Sequence, residues 1–232
     1  PMYQLSYFPN NQNVSGVQAY DKEVDALNQH TKADKVYIVC SKEQLDENGS
    51  MKIFSMIDKL SAELSVASDN ETRKRLLMRR AIAHSVLRDF EAAISDFTYY
   101  ISLDDKNSLA YWQRAVCQAE MDEFNKAEGK GVLNIHSAEA DFSDAIRQNS
   151  NNAYIYYNRG NLHAGRNELS KAIDDYTIAL RIDNRLAEAY YNRGIARAKS
   201  GNKQTAIQDL SKAGELGLYD AYSVIKRLNK SK

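Results

Sequence analysis

Two stretches decide the fold: Ala153-Tyr-Ile-Tyr-Tyr-Asn-Arg-Gly-Asn-Leu-His-Ala-Gly165 and Ala187-Glu-Ala-Tyr-Tyr-Asn-Arg-Gly-Ile-Ala-Arg-Ala-Lys199. They share Tyr-Tyr-Asn-Arg-Gly at a shift of 34 residues. Behind them, Lys171-Ala-Ile-Asp-Asp-Tyr-Thr-Ile-Ala-Leu180 and Thr205-Ala-Ile-Gln-Asp-Leu-Ser-Lys-Ala-Gly214 keep the same shift. Upstream, Tyr111-Trp-Gln-Arg-Ala115 and Leu77-Met-Arg-Arg-Ala81 fill the same slots. The phase defines four units: 74–107, 108–152, 153–186 and 187–220, the second carrying 11 extra residues. A fixed period of this length is the mark of a repeat architecture.

Each unit reads as two helices. In the first, a small residue recurs in one slot: Ala81, Ala115, Gly160 and Gly194. In the second, Ala93, Ala138, Ala172 and Ala206 recur. They are followed four residues on by Phe97, Phe142, Tyr176 and Leu210, then three on by Tyr100, Ala145, Ala179 and Ala213. Spacings of three and four share one helical face, and a small residue facing a large one lets backbones approach. Gly201 suits the turn between helices, where Arg88 and Asn167 stand in other units.

These residues resemble the tetratricopeptide repeat, in phrasing close to its bacterial versions. The resemblance covers residues 74–220. The proline that often closes such a repeat is replaced by Asp105, Ser150, Asn184 and Leu218, and the second unit has Glu139 and Gln148 where its siblings have Ile or Leu. The resemblance implies an all-α, right-handed superhelical solenoid of helix-turn-helix repeats. It also implies a non-catalytic scaffold that binds a polypeptide segment in its concave groove. On that geometry the groove residues are Met78, Arg79 and Ile82; Trp112, Gln113 and Val116; Tyr154, Tyr157, Asn158 and Asn161; Tyr191 and Asn192. Trp112, Tyr157 and Tyr191 form a column of rings, and Gln113, Asn158 and Asn192 a column of amides. Rings offer contact area and amides can pair with an extended backbone.

A second pattern runs through all four units. Arg80, Arg114, Arg159 and Arg193 stand at one position, Asp96, Asp141, Asp175 and Asp209 at another. An acid accompanying each arginine predicts a structural ladder of planar, bidentate pairs rather than an anion site. His84 and His163 share a slot that Gln118 and Arg197 take elsewhere, which reads as packing.

Outside the repeats, residues 221–232 are expected to form a capping helix, with a stripe of Leu218, Tyr222, Ile225 and Leu228. Residues 1–73 read as a mixed or helical region, with a degenerate repeat as one reading. Within it a helix is expected over 51–66 and another over Val17–Gln29, with a strand at Val36–Cys40 and a turn at Asn48-Gly49. The extra residues around 122–136 are expected to extend or interrupt the turn of the second repeat.

Composition narrows the function. The 232 residues carry 31 basic and 31 acidic side chains, so general nucleic-acid binding is not expected. Acids exceed bases by five over residues 1–71, and bases exceed acids by five over the rest. No apolar run reaches the roughly 18 residues of a membrane span. Of the two cysteines, Cys117 reads as a small buried apolar residue. No catalytic residue, metal set or cofactor is expected. Gly129-Lys130-Gly131 lacks the phosphate-loop spacing.

The expected partner is a protein or peptide. Tetratricopeptide modules that hold acidic chaperone tails use a clamp of Lys, Asn and Arg. The corresponding positions here offer Met78, Ile82, Gln113, Tyr154 and Asn158, or Trp112, Val116, Asn158, Glu188 and Asn192, so such tails are not expected to bind. Two other readings stay open: an assembly or regulatory subunit acting through the N-terminal region and the 120–136 insertion, and an enzyme or sugar-binding protein with its site in residues 1–71. Localisation is open between cytoplasm and, if a leader was removed, periplasm or cell envelope.

Overall fold

A computed structural model describes residues 3–7, 17–18, 36–40, 47–129 and 135–230. The chain forms two compact units, Pro1–Gln148 and Asn149–Lys232.

The first unit opens with strands β1 (Tyr3–Tyr7), β2 (Val17–Gln18) and β3 (Val36–Cys40). They make an antiparallel sheet with β3 in the middle, Leu5 opposite Ile38 and Val17 opposite Val39. The β-branched run of β3 suits a pleated surface. The expected helix over Val17–Gln29 is corrected at its start, because Val17–Gln18 pair with β3. Cross-strand pairing there overrides a helical period that rests on four apolar residues. Residues 19–29 lie outside the described residues.

Helix α1 (Glu47–Val66) follows, then α2 (Asn70–Val86), α3 (Phe90–Leu103), α4 (Ser108–Ala127) and α5 (Ile135–Gln148). Asn48-Gly49, expected as a turn, lies inside the first turn of α1. The burial of Ile53, Met56 and Leu60 further along the helix outweighs the local preference of that dipeptide. α1 packs on α2 as α3 packs on α4.

Helix starts are set by side chains. The carboxylates of Asp69 and Asp89 accept from the backbone N–H of Thr72 and Ala92, and the Asn107 amide oxygen accepts from that of Ala110. Each satisfies a donor that the first turn leaves without a partner. Helix ends follow one device. Arg88, at φ 61°, reverses the chain after α2, and the next N–H, of Asp89, donates back to His84 O at 3.0 Å. Asn167 (φ 60°) and Gly201 (φ 84°) do the same in the second unit, with Glu168 and Asn202 donating to His163 O and Arg197 O. This is the left-handed closure that favours glycine, here made twice without one.

The second repeat departs at that point. α2 ends at Val86, whereas α4 continues beyond Glu120, the residue 34 positions further on, to Ala127; Gly129 (φ 70°) then makes the turn. The insertion is therefore partly extra helix. Residues 130–134 lie outside the described residues.

The second unit contains α6 (Ala153–Gly165), α7 (Leu169–Ile182), α8 (Ala187–Lys199), α9 (Lys203–Glu215) and α10 (Asp220–Lys230). Consecutive helices pack on one another. α10 covers the last repeat by burying Ala221 and Val224 against Leu210 and Ala213, with Leu218, Ile225 and Leu228 partly buried beside them. Tyr222, expected in that stripe, is 49% exposed and lies over Gly214 instead.

The small-against-large slots are as close as the sequence pattern implies. A Cβ on Gly160 would meet the Tyr176 ring at 2.8 Å, and one on Gly194 would meet Leu210 Cγ at 2.9 Å and the Ala206 carbonyl at 3.1 Å. Gly194→Ala must therefore move backbone as well as side chain, and is expected to destabilise by about 1–3 kcal/mol. A urea titration that leaves the Gly194→Ala midpoint unchanged would refute the tight approach of α8 and α9.

Candidate functional site

The four arginines and four aspartates meet in pairs, each within its own repeat. Arg80 donates from Nε and Nη2 to the two Asp96 oxygens at 2.7 Å each, and Arg114 does the same to Asp141. Arg159 reaches Asp175 at 2.8 and 2.7 Å, and Arg193 reaches Asp209 at 2.9 and 2.7 Å. The aspartates are 4–6% exposed. Burial with fork-on-fork geometry makes these charge-assisted bonds, and neither partner can be removed cheaply.

Each arginine has further neighbours. In two of them the remaining Nη1 donates to a hydroxyl on the second helix of the preceding repeat: Arg114 to Thr98 and Arg193 to Thr177, both at 3.1 Å. Arg80 donates in the same way to Ser61 on α1, at 3.0 Å. The guanidinium carbons of Arg114, Arg159 and Arg193 also lie 5.6–5.8 Å from the ring centres of Tyr111, Tyr156 and Tyr190, one turn earlier.

The slot four residues after the arginine is more than packing. Arg197 adds a second guanidinium to Asp209 at 2.8 Å, and the Gln118 amide favours the ionised form of Asp141. His163 sits between Glu168, 2.7 Å from Nδ1, and Asp175, 3.7 Å from Nε2. His84 lies 3.0 Å from Asp89. Both this slot and the hydroxyl slot were legible in the sequence. Thr98, Ser143, Thr177 and Ser211 each follow the large second-helix residue, but the pattern carries meaning only once an arginine is seen to reach it.

The ring and amide columns lie on first helices, yet most of that face is closed. Met78, Ile82, Trp112, Gln113, Val116, Tyr154, Tyr157 and Asn158 are buried, while Arg79, Asn161, Tyr191 and Asn192 are half-buried. In the second unit the reason is visible. Asn192 Nδ2 donates to Tyr157 Oη at 3.1 Å and to Asn161 Oδ1 at 2.9 Å, and the Tyr176 hydroxyl donates to Asn161 at 2.8 Å. The amides thus tie neighbouring repeats together. Tyr191 packs against the cluster beneath α10. In the first unit, β1 runs against α2 and α4.

Other groups bear on chemistry. Burial pushes the Cys117 thiol far above its ordinary value, out of reach of a thiolate nucleophile. Among the described residues no cluster of His, Cys, Asp and Glu is arranged to hold a metal ion, and no helix is long and apolar enough to cross a membrane.

A buried Arg–Asp pair repeated at helix-turn-helix intervals defines a helical-repeat protein. Residues 164–201 match the family described as the TPR repeat. The crystal structure of MamA superposes with a TM-score of 0.62 at 21% identity, over 77% of this chain and 98% of that one. A fragment of MamA from Desulfovibrio magneticus RS-1 gives 0.54 at 16%, over 75% and 97%. YrrB, described as a TPR protein with an unusual peptide-binding site, gives 0.57 at 17%, over 77% and 89%. These likenesses establish the fold. No curated protein matches the chain in sequence.

The pairs support two predictions. Asp175→Asn leaves Arg159 beside a neutral amide in a half-buried site and is expected to cost about 3 kcal/mol. In a double-mutant cycle with Arg159→Gln, the two losses should fall well short of additive. Additive losses in urea denaturation would mean that the pair carries no coupling.

The second concerns Glu120, on α4. Burial pushes its carboxyl above the ordinary glutamate range, and Arg88, 3.5 Å away, only partly offsets this. A raised folded value means that the protonated form suits the fold. The contribution is fully present below the ordinary glutamate pKa and is lost as pH rises through the raised value. Glu120→Gln should therefore raise the urea midpoint at pH 7 and leave it nearly unchanged at pH 3.5. A loss of stability at pH 7 would contradict this.

Proposed function

We propose that the protein is a non-catalytic scaffold that binds a polypeptide segment on the first-helix faces of its repeats. The observation that carries the reading is the ladder. A buried bidentate pair in every repeat holds the helices in register, which gives a partner a regular surface rather than a reaction centre. The likeness in fold to YrrB, a TPR protein described as having a peptide-binding site, supports it.

The proposed contacts are Met78, Arg79, Ile82, Trp112, Gln113 and Val116 in the first unit. In the second they are Tyr154, Tyr157, Asn158, Asn161, Tyr191 and Asn192. The organisation we propose has an N-terminal region to residue 73, four repeats over 74–220 and a cap over 221–232. α1 stands in it as the second helix of a degenerate repeat, because Ser61 fills the slot of Thr98 and Thr177.

These positions supply rings and amides and few charges. The preferred ligand is an extended, uncharged, aromatic-bearing segment rather than an acidic chaperone tail, which would be short of charge-assisted partners. Binding should therefore change little between 50 and 500 mM salt. Tyr191→Ala, at a half-buried position, should weaken it by about tenfold, the 1–1.5 kcal/mol of an aromatic contact. Titration of an immobilised peptide array with the full chain tests both points. Tight, salt-sensitive capture of an acidic tail that survives Tyr191→Ala would overturn the reading.

The assembly reading has one observation in its favour. Phe124, on the part of α4 that runs past the repeat's expected end, is 51% exposed. Loss of self-association or of a co-purifying subunit in Phe124→Ser, with peptide binding intact, would favour it.

A further inference from the structure

Within the first unit, β1 meets α2 and α4, the first helices of the first two repeats. It is an extended segment, Tyr3-Gln-Leu-Ser-Tyr7, without a charged residue. Its sequence alternates, with Tyr3, Leu5 and Tyr7 aromatic or aliphatic and Gln4 and Ser6 polar. The two helices it runs against carry Met78, Ile82, Trp112, Gln113 and Val116, all buried. Trp112 is 1% exposed and Gln113 0%. Its other neighbour is β3, with Leu5 opposite Ile38, so one edge of β1 is fixed by backbone pairing.

We infer that β1 is an intramolecular cover: it occupies the first-helix face of the first two repeats, and a partner must displace it. This rests on the peptide-binding reading and adds regulation to it. It also names the partner's chemistry, because the segment that the face already accommodates is its best template. The competing ligand is a short, extended, uncharged stretch with aromatic and aliphatic residues at alternate positions. A partner that needs the uncovered state binds with an affinity reduced by the fraction of molecules in that state. Loosening β1 therefore strengthens binding without touching the contact residues.

The test uses the full chain and its one tryptophan, Trp112. Hydrogen-bonded pairs alternate along an antiparallel ladder, so substituting two adjacent residues removes at least one ladder N–H. Gln4→Pro together with Leu5→Pro should release β1. The probe is a fluorescein-labelled peptide of residues 1–9. In the unaltered chain, acrylamide should quench Trp112 poorly and the peptide should bind weakly. In the double variant, quenching should rise and peptide affinity increase at least tenfold, with the helical circular dichroism unchanged. Trp112 equally protected in both chains overturns the inference. So does equal peptide affinity, which leaves the peptide-binding reading standing. Opening of Trp112 with no peptide bound by either chain supports the cover and overturns the peptide-binding reading instead.

Discussion

The constraint on which the repeats depend is a carboxylate buried on the second helix. Asp96, Asp141, Asp175 and Asp209 are almost wholly withdrawn from water. An ionised carboxylate in such a place costs several kcal/mol unless its oxygens are satisfied. The arginine of the first helix supplies two bonds in the plane of the carboxylate, and its position is thereby fixed. Where a third N–H reaches the hydroxyl of the preceding repeat, the same side chain sets intra-repeat and inter-repeat spacing together. Ion pairs of this kind add less to net stability than to register. A uniform register is what a repeat fold needs, because its apolar contacts of small against large residues would tolerate a slip better than a forked charge pair.

The helical region was legible because its signals recur. A Gly or Ala facing a ring, or an arginine matched by an aspartate, is weak evidence once and strong evidence four times. Gly160 beneath Tyr176 and Gly194 beneath Leu210 follow directly from the slot pattern. Reading failed where no repetition was available. Val17–Gln18 joined a strand because its partner β3 lies about twenty residues away, a pairing that no local period reveals. Asn48-Gly49 entered a helix because Ile53, Met56 and Leu60 lie further along it.

The ring and amide columns lie on first helices, and most of their residues are buried. Slot analysis assigns Trp112, Tyr157 and Asn192 to first helices but cannot say what else meets them. In the second unit, Asn192 and Asn161 are tied into a network with Tyr157 and Tyr176. Rings and amides are as useful for joining two repeats as for holding a peptide, and the same residue types serve both ends. What distinguishes the uses is a neighbour distant in sequence.

The hydroxyl that α1 contributes gives the chain a direction. Ser61 receives Arg80 as Thr98 receives Arg114. Two residues before Thr98 stands the aspartate that holds its own repeat's arginine; two residues before Ser61 stands Lys59, exposed. α1 therefore carries the acceptor that joins it to the repeat that follows, and a lysine where the other second helices carry the aspartate of their own arginine.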